Sequence, residues 1–270
     1  QETDSLLYIK SDELILKARL KVTDYTDSLR YDSAQMYFEQ SRRYAETVEN
    51  LEYFAYLLKK DNQTHLAVNY YEKALQLARS EYEEAGLALT LGICYSKIQK
   101  MTESEKMYLR SLEIYERLAK STEFRLDFAK TCYNLGTFYS DNDRQKEAIH
   151  ILKKGVVLWQ KLAEANPALF TKSLAMTFNN LGFAYLKDGD FSNARECLEK
   201  SQALKSDNSW VFRNWACFFA LQNEVEKSVE NLQKSAALGY DDPDWVRREK
   251  SLDMIRGHSA FPTILNEIEQ

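Results

Sequence analysis

Three histidines, four cysteines and a few carboxylate runs are the residues in this 270-residue chain that could carry reaction chemistry. Their spacing argues against it. His65, His150 and His258 stand far apart, and none sits in a nucleophile or metal constellation. His65 and His150 fall beside Ala67 and Ala148 on helices, where exposed surface is expected. Cys94, Cys132, Cys197 and Cys217 form no CxxC pair and lie near no histidine at zinc spacing, so no structural metal is expected. A free cysteine inside a helix behaves as a small apolar residue, and unpaired thiols suit a reducing compartment. Glu81-Tyr82-Glu83-Glu84 offers paired carboxylates, but a solvated helix end accounts for them. Gly182 and Gly189 lie in and after a helix rather than between a strand and a helix, which excludes a phosphate-cradling loop there. The expectation is a chain that is not an enzyme and holds no cofactor and no metal.

The elements that carry these residues are long helices. The chain is 44% hydrophobic and 29% charged, and only 8 Gly and 3 Pro interrupt it. A formal net charge of −5, with Lys and Arg spread throughout, argues against a nucleic-acid surface. No apolar run reaches membrane-spanning length. The Leu6–Leu20 region is broken by Lys10, Asp12, Glu13 and Lys17 and is no signal-peptide core. Gln1 stands where a Met would open a chain, leaving room for a removed leader or a preceding domain. The expected location is the cytoplasm.

A steric motif recurs along the chain. Asn180-Leu181-Gly182-Phe183-Ala184-Tyr185 is followed twelve residues after Gly182 by Ala194. A glycine and a small partner at that offset let two antiparallel helices press together. The same offset recurs at 55/67, 92/104, 136/148 and 216/228, with a degenerate first instance at Val22 and Ala34, where Lys21 replaces the Leu. Leu14, Ala18, Val22 and Tyr25 precede the turn Asp27-Ser28-Leu29-Arg30, and Ala34, Phe38 and Ser41 follow it. Gly92 to Gly136 is 44 residues and Gly136 to Gly182 is 46, against 34 from Gly182 to Ala216, so the middle units have lengthened helices. Asn166-Pro167 reads as a cap and first turn. Past Asp241-Asp242-Pro243, the stripe Phe261, Ile264, Leu265 and Ile268 makes a terminal amphipathic helix able to cover the last seam.

These residues resemble the tetratricopeptide repeat family over about residues 15–238. Asn134-Leu135-Gly136-x-x-Tyr139…Ala148 and Asn180-Leu181-Gly182-x-x-Tyr185…Ala194 carry the likeness best, and the long units are similar to the extended repeats of kinesin light chains and of many bacterial proteins. The tail Gly239-Tyr240…Trp245…Leu252…Arg256…Phe261…Leu265 is similar to one found behind bacterial arrays. The resemblance implies an all-α, right-handed superhelical solenoid of antiparallel helix pairs. About six repeats are expected near 15–47, 48–81, 85–120, 129–164, 175–206 and 209–238, within an array of residues 1–238 closed by a capping segment at 239–270.

The resemblance also implies that first helices line a groove. The family's contact positions map onto Glu52, Tyr56, Lys59, Lys60, Ile93, Lys97, Lys130, Tyr133, Thr137, Asn179, Phe183, Lys187 and Arg213. Of these, Tyr56, Lys59, Lys97, Lys130, Tyr133, Asn179, Phe183, Lys187 and Arg213 are the candidate partner-binding residues. Aromatic rings would give contact area, and Lys or Arg would meet carboxylates of an acidic protein or peptide. The other reading is that Tyr56, Tyr133 and Phe183 pack against neighbouring helices. Arg19 and Thr23 occupy the places where chaperone-tail binders of the family carry Lys and Asn, so that clamp is not expected. The function expected is a non-catalytic scaffold holding a polypeptide in its concave groove. The alternative is the sensor or regulatory part of a larger signalling or transcription-regulating protein.

Overall fold

The computed structural model describes the backbone of residues 2–22, 30–41, 46–205 and 207–269, with side chains over the same stretches except 2–8, 22, 30 and 31. The side chains of Val22, Thr23 and Tyr25 and the turn residues 27–29 lie outside the described residues. The fold is all-α, and among the described residues no strand forms. Helices follow in pairs: α1 (Glu2–Val22) and α2 (Arg30–Ser41), α3 (Val48–Lys60) and α4 (Thr64–Leu77), α5 (Glu81–Lys97) and α6 (Met101–Leu118). Then come α7 (Arg125–Asp141) and α8 (Gln145–Ala165), α9 (Pro167–Asp188) and α10 (Phe191–Leu204), α11 (Ser209–Leu221) and α12 (Val225–Ala237). A short α13 (Pro243–Arg248), a 3-10 turn (Lys250–Ile255) and α14 (Phe261–Glu269) end the chain. The chain divides into two compact units, Gln1–Ser121 with α1 to α6 and Thr122–Gln270 with α7 to α14.

The extra length of the middle repeats is helical. α8 and α9 run 21 and 22 residues against 13 for α11, and Asn166 caps the new helix by accepting from the Leu169 amide. The hinge inside each of the five pairs from α3 and α4 to α11 and α12 repeats too. Asn62, Gln99, Asp143, Gly189 and Asn223 all take positive φ, between 57° and 85°. The residue after each returns its amide to a carbonyl five residues back, as Lys100 does to Tyr95 and Asp190 to Tyr185, both at 2.9 Å. This left-handed C-terminal motif satisfies carbonyls that the helix end leaves open. Only Gly189 of the five is free of the steric penalty for that conformation.

The seams are tight where the small residues predict, with one correction. A Cβ on Gly136 would meet Leu152 Cγ at 2.5 Å, one on Gly92 would meet the Tyr108 ring at 2.8 Å, and one on Gly182 would meet Leu198 Cγ at 3.0 Å. The residue that excludes a side chain is therefore sixteen positions on, not the Ala148 or Ala194 expected at twelve. The reason is direction. Cβ bonds lean toward the N-terminus of their own helix, which in an antiparallel pair is toward the C-terminal turns of the partner. The residue at plus twelve meets the carbonyl instead: Ser104 donates to Gly92 O and Ser228 to Ala216 O, each at 2.8 Å. A heptad further out, Ser201 donates to Ala175 O at 2.7 Å and Ser235 to Ser209 O at 2.9 Å.

Each unit has its own core. In the first, Phe38 and Phe54 stack at 3.8 Å amid Leu51, Leu58, Tyr71, Leu87 and Leu91. In the second, Phe212, Phe218, Leu232 and Tyr240 pack with Leu252, Ile255, Phe261, Ile264 and Ile268 of the terminal segment, with Leu265 partly buried against them. All four cysteines are buried. Burial pushes the Cys197 thiol up to about 11 and the Cys217 thiol up to about 12, so neither is a thiolate at neutral pH.

Candidate functional site

Side chains of α7, α9, α11, α13 and the adjoining turns of the second unit enclose a cavity of about 1010 Å³. Its floor follows from repeat register. Tyr133, Asn179 and Arg213 each stand three residues before the small seam residue of their helix, and Asn180 and Asn214 stand two before it. Equivalent positions on neighbouring first helices lie side by side, and here they are joined by hydrogen bonds. Asn180 Nδ2 donates to Thr137 Oγ1 at 2.9 Å, and Asn179 Nδ2 donates to Asn180 Oδ1 at 3.3 Å. Asn214 Nδ2 donates to Asn179 Oδ1 at 2.9 Å, and Arg213 closes the run by donating Nε and Nη2 to Asn214 Oδ1 at 3.0 and 2.7 Å. Asn214 is fully buried and Arg213 is 5% exposed.

Arg213 is also boxed by rings. Its guanidinium carbon lies 3.9 Å from the Trp245 ring centre, 4.8 Å from Trp210, 5.3 Å from Phe183 and 5.6 Å from Tyr240. Nη1 donates to the Tyr240 hydroxyl at 3.4 Å. Burial raises the Tyr240 hydroxyl, against the opposing charge of Arg213. Burial likewise raises Tyr133, partly offset by its hydrogen bond with Asn180.

The rim carries charge of both signs. Lys187 pairs with Glu249 at 3.0 Å and Lys205 with Asp207 at 2.8 Å. Burial alone would raise the Glu249 carboxyl, but bonds from the Ser251 hydroxyl and amide and from Lys187 outweigh it and hold the carboxyl below the ordinary glutamate value. Asp141 is exposed at the cavity edge, where the surrounding walls still desolvate it enough to raise its carboxyl, with Arg213 opposing the rise.

The candidate residues read from the sequence divide between the units. Tyr56, Lys59 and Lys97 belong to the first: Tyr56 is 42% exposed beneath the Lys60 ammonium, and Lys97 donates to Asn62 Oδ1 at 3.1 Å. In the second, Tyr133, Asn179, Phe183, Lys187 and Arg213 line one cavity, whereas Lys130 is not among its lining residues and is paired with Asp127 at 3.0 Å. Tyr133 and Phe183 are half-buried, with Phe183 tilted against Trp245 at 5.9 Å. Sequence reasoning assigned no role to Asn180, Asn214, Trp210, Asp141 or Glu249. The signal for the asparagines was present, because Asn precedes the seam residue by two at 134, 180 and 214.

Elsewhere, His65 and His150 are exposed, and among the described residues no group of three or more His, Cys, Asp or Glu is placed to hold a metal ion. Among the described residues no helix is long and apolar enough to cross a membrane.

The tetratricopeptide repeat profile matches residues 54–81, 129–156 and 177–208. A comparison with curated proteins found no match. Among solved structures, BtubC (BKLC) from P. vanneervenii is similar at 18% identity with a TM-score of 0.59, over 86% of this chain and 90% of that one. A putative kinesin light chain repeat protein from Podosopora anserina gives 16% identity and a TM-score of 0.57, over 75% and 97%. YrrB, described as a tetratricopeptide protein with an unusual peptide-binding site, gives 19% and 0.50, over 74% and 91%. The chain carries tetratricopeptide repeats, and its fold is that of a tetratricopeptide-type helical solenoid, the general architecture of protein-interaction scaffolds.

Proposed function

We propose that this repeat array is a scaffold that holds a polypeptide segment in the cavity of its second unit. The observation that carries the reading is the cavity itself: about 1010 Å³, floored by three successive first helices and presenting Tyr133, Phe183, Trp210 and Trp245 beside fixed amide groups. Rings offer contact area at small entropic cost, and amides suit the backbone of an extended chain. The peptide-binding site described for YrrB, of the same fold, supports the reading.

The test is selection from a displayed library of random peptides by the immobilised full chain, with titration of the enriched peptides. Phe183→Ala and Tyr133→Ala, singly and together, should weaken binding by tenfold or more while helix content stays intact, since truncated hot-spot aromatics commonly cost ~2 kcal/mol. Full affinity in the folded double variant would move recognition off this cavity. Failure of the wild-type chain to enrich any peptide would remove the reading altogether.

A further inference from the structure

Arg213 is a buried cation without an anion. Among the described residues no carboxylate lies within ion-pair distance of it, and Asp141 feels its charge only through space. A guanidinium has five N–H donors in a fixed fork. Two point at Asn214 and one at Tyr240, which leaves two without an acceptor among the described residues. The ring box stabilises a cation partly, yet an unpaired buried charge remains costly. Such a group is held ready rather than spent: Asn214 fixes it, Asn179 fixes Asn214, and Trp245 stacks against it at 3.9 Å. A second buried donor lining the same cavity, Asn208 Nδ2, is without a partner, its Oδ1 being used on the Trp210 amide. Lys172 and Lys250 line the cavity as well and form no ion pair among the described residues.

We propose that Arg213 receives an aspartate or glutamate side chain of the bound polypeptide through its two open N–H groups. This rests on the reading of the cavity as a peptide site. A side chain is the source favoured over a chain terminus because of where Arg213 stands. On α9 the lining runs from Lys172 to Lys187, roughly 22 Å at the helical rise. Arg213 shares the register of Asn179, near the middle of that run, so a segment filling the cavity continues past it on both sides. Lys187 and Lys205 are taken by Glu249 and Asp207, and of the cations left Arg213 is the one buried and held by a fixed partner, Asn214, so it is best placed to fix an acid in one position. Asp141 then acts against the ligand, repelling its carboxylate and setting how acidic a segment is tolerated.

The experiment is an array of amidated, acetylated peptides of one length. Each frame is printed with a central Glu, Gln or Lys, and again with a central Ala and a free C-terminal carboxylate. Labelled full chain is scored as wild type, Arg213→Gln and Asp141→Asn, with melting curves for each. Wild type should favour Glu over Gln by about tenfold, in line with the gain from charge-assisted bonds. Arg213→Gln should erase that preference while still binding the Gln peptides, and Asp141→Asn should strengthen the Glu peptides about threefold and leave the Gln peptides unchanged. Equal binding of Glu and Gln by wild type would overturn the assignment and leave the peptide site standing. Preference for the free terminus, or for Lys, would overturn it in favour of those groups. If Arg213→Gln does not fold, the exposed Asp141→Asn decides: no gain for the Glu peptides sinks the proposal. Binding of no peptide at all would fail the underlying reading instead.

Discussion

The two units share a framework and differ in what stands on it. In the first, the positions three and two before the seam residue hold Glu52 and Tyr53 on α3 and Leu89 and Thr90 on α5. In the second, the same positions hold Asn179 and Asn180 on α9 and Arg213 and Asn214 on α11, joined across the helices. Thr90 bonds within its own helix, to Gly86 O at 3.1 Å. Partial desolvation raises the Glu52 carboxyl, with help from the nearby charges of Glu83 and Glu49. Seam sterics thus leave the register open to any chemistry, and the second unit has used it for a polar network that fixes a charge.

If the seams are equivalent and only the register differs, Gly92→Ala and Gly136→Ala should cost alike. Their Cβ atoms would lie 2.8 and 2.5 Å from Tyr108 and Leu152. Overpacking of that kind costs ~1–3 kcal/mol, less about 1 kcal/mol returned by helix propensity. Gly182→Ala, at 3.0 Å, should cost less. Thermal unfolding ranks the three, and a silent Gly136→Ala would break the shared-seam view. The register itself is probed by Asn214→Ala, which strands donors of Arg213 and the side-chain acceptor of Asn179 and should cost ~1–3 kcal/mol. Thr90→Ala, its counterpart, should stay within about 0.5 kcal/mol. Equal losses would mean that the network adds nothing.

A pH series sharpens the contrast further. The Glu249 carboxyl is depressed in the folded chain, so its contribution is present above the ordinary glutamate range and fades as pH falls through the lowered value. Glu249→Gln should therefore lose stability at neutral pH and converge on wild type in acid; parallel curves would show that the ion pair with Lys187 is idle. A further modest effect lies in the hinges. Gln99→Gly relieves a left-handed residue in the first unit and should stabilise by about 1 kcal/mol, whereas Gly189→Ala in the second should cost about as much. Nothing lies within 4 Å of a Cβ on Gly189, so the cost there is backbone strain alone.

The fold was legible because its determinants are steric and local. A small residue every repeat, apolar stripes and an Asn-Pro start are written one-dimensionally, and helix limits followed from them. The direction of the seam was not legible at that level, since spacing alone cannot show that a Cβ leans past Ala148 to Leu152. The cavity was half legible. Register put Tyr133, Asn179 and Arg213 at one level, but Arg213 reads in sequence as a solvent-facing cation. Its ring box comes from Phe183 of the preceding pair, Trp210 of its own helix, and Tyr240 and Trp245 of the segment before the terminal helix, where no apolar stripe runs. Lys130 carries the register of a contact residue, yet it is not among the residues lining the cavity and is held by Asp127.

The four buried cysteines have a practical consequence. Cys94 lies in α5, Cys132 in α7, Cys197 in α10 and Cys217 in α11, so each thiol is shut away by a different helix. A thiol reagent can reach one only when its own repeat opens, so the labelling rate of each cysteine becomes a clock for local opening. Variants keeping one cysteine at a time would time the array repeat by repeat, and a groove-filling peptide should slow Cys217 most and Cys94 least.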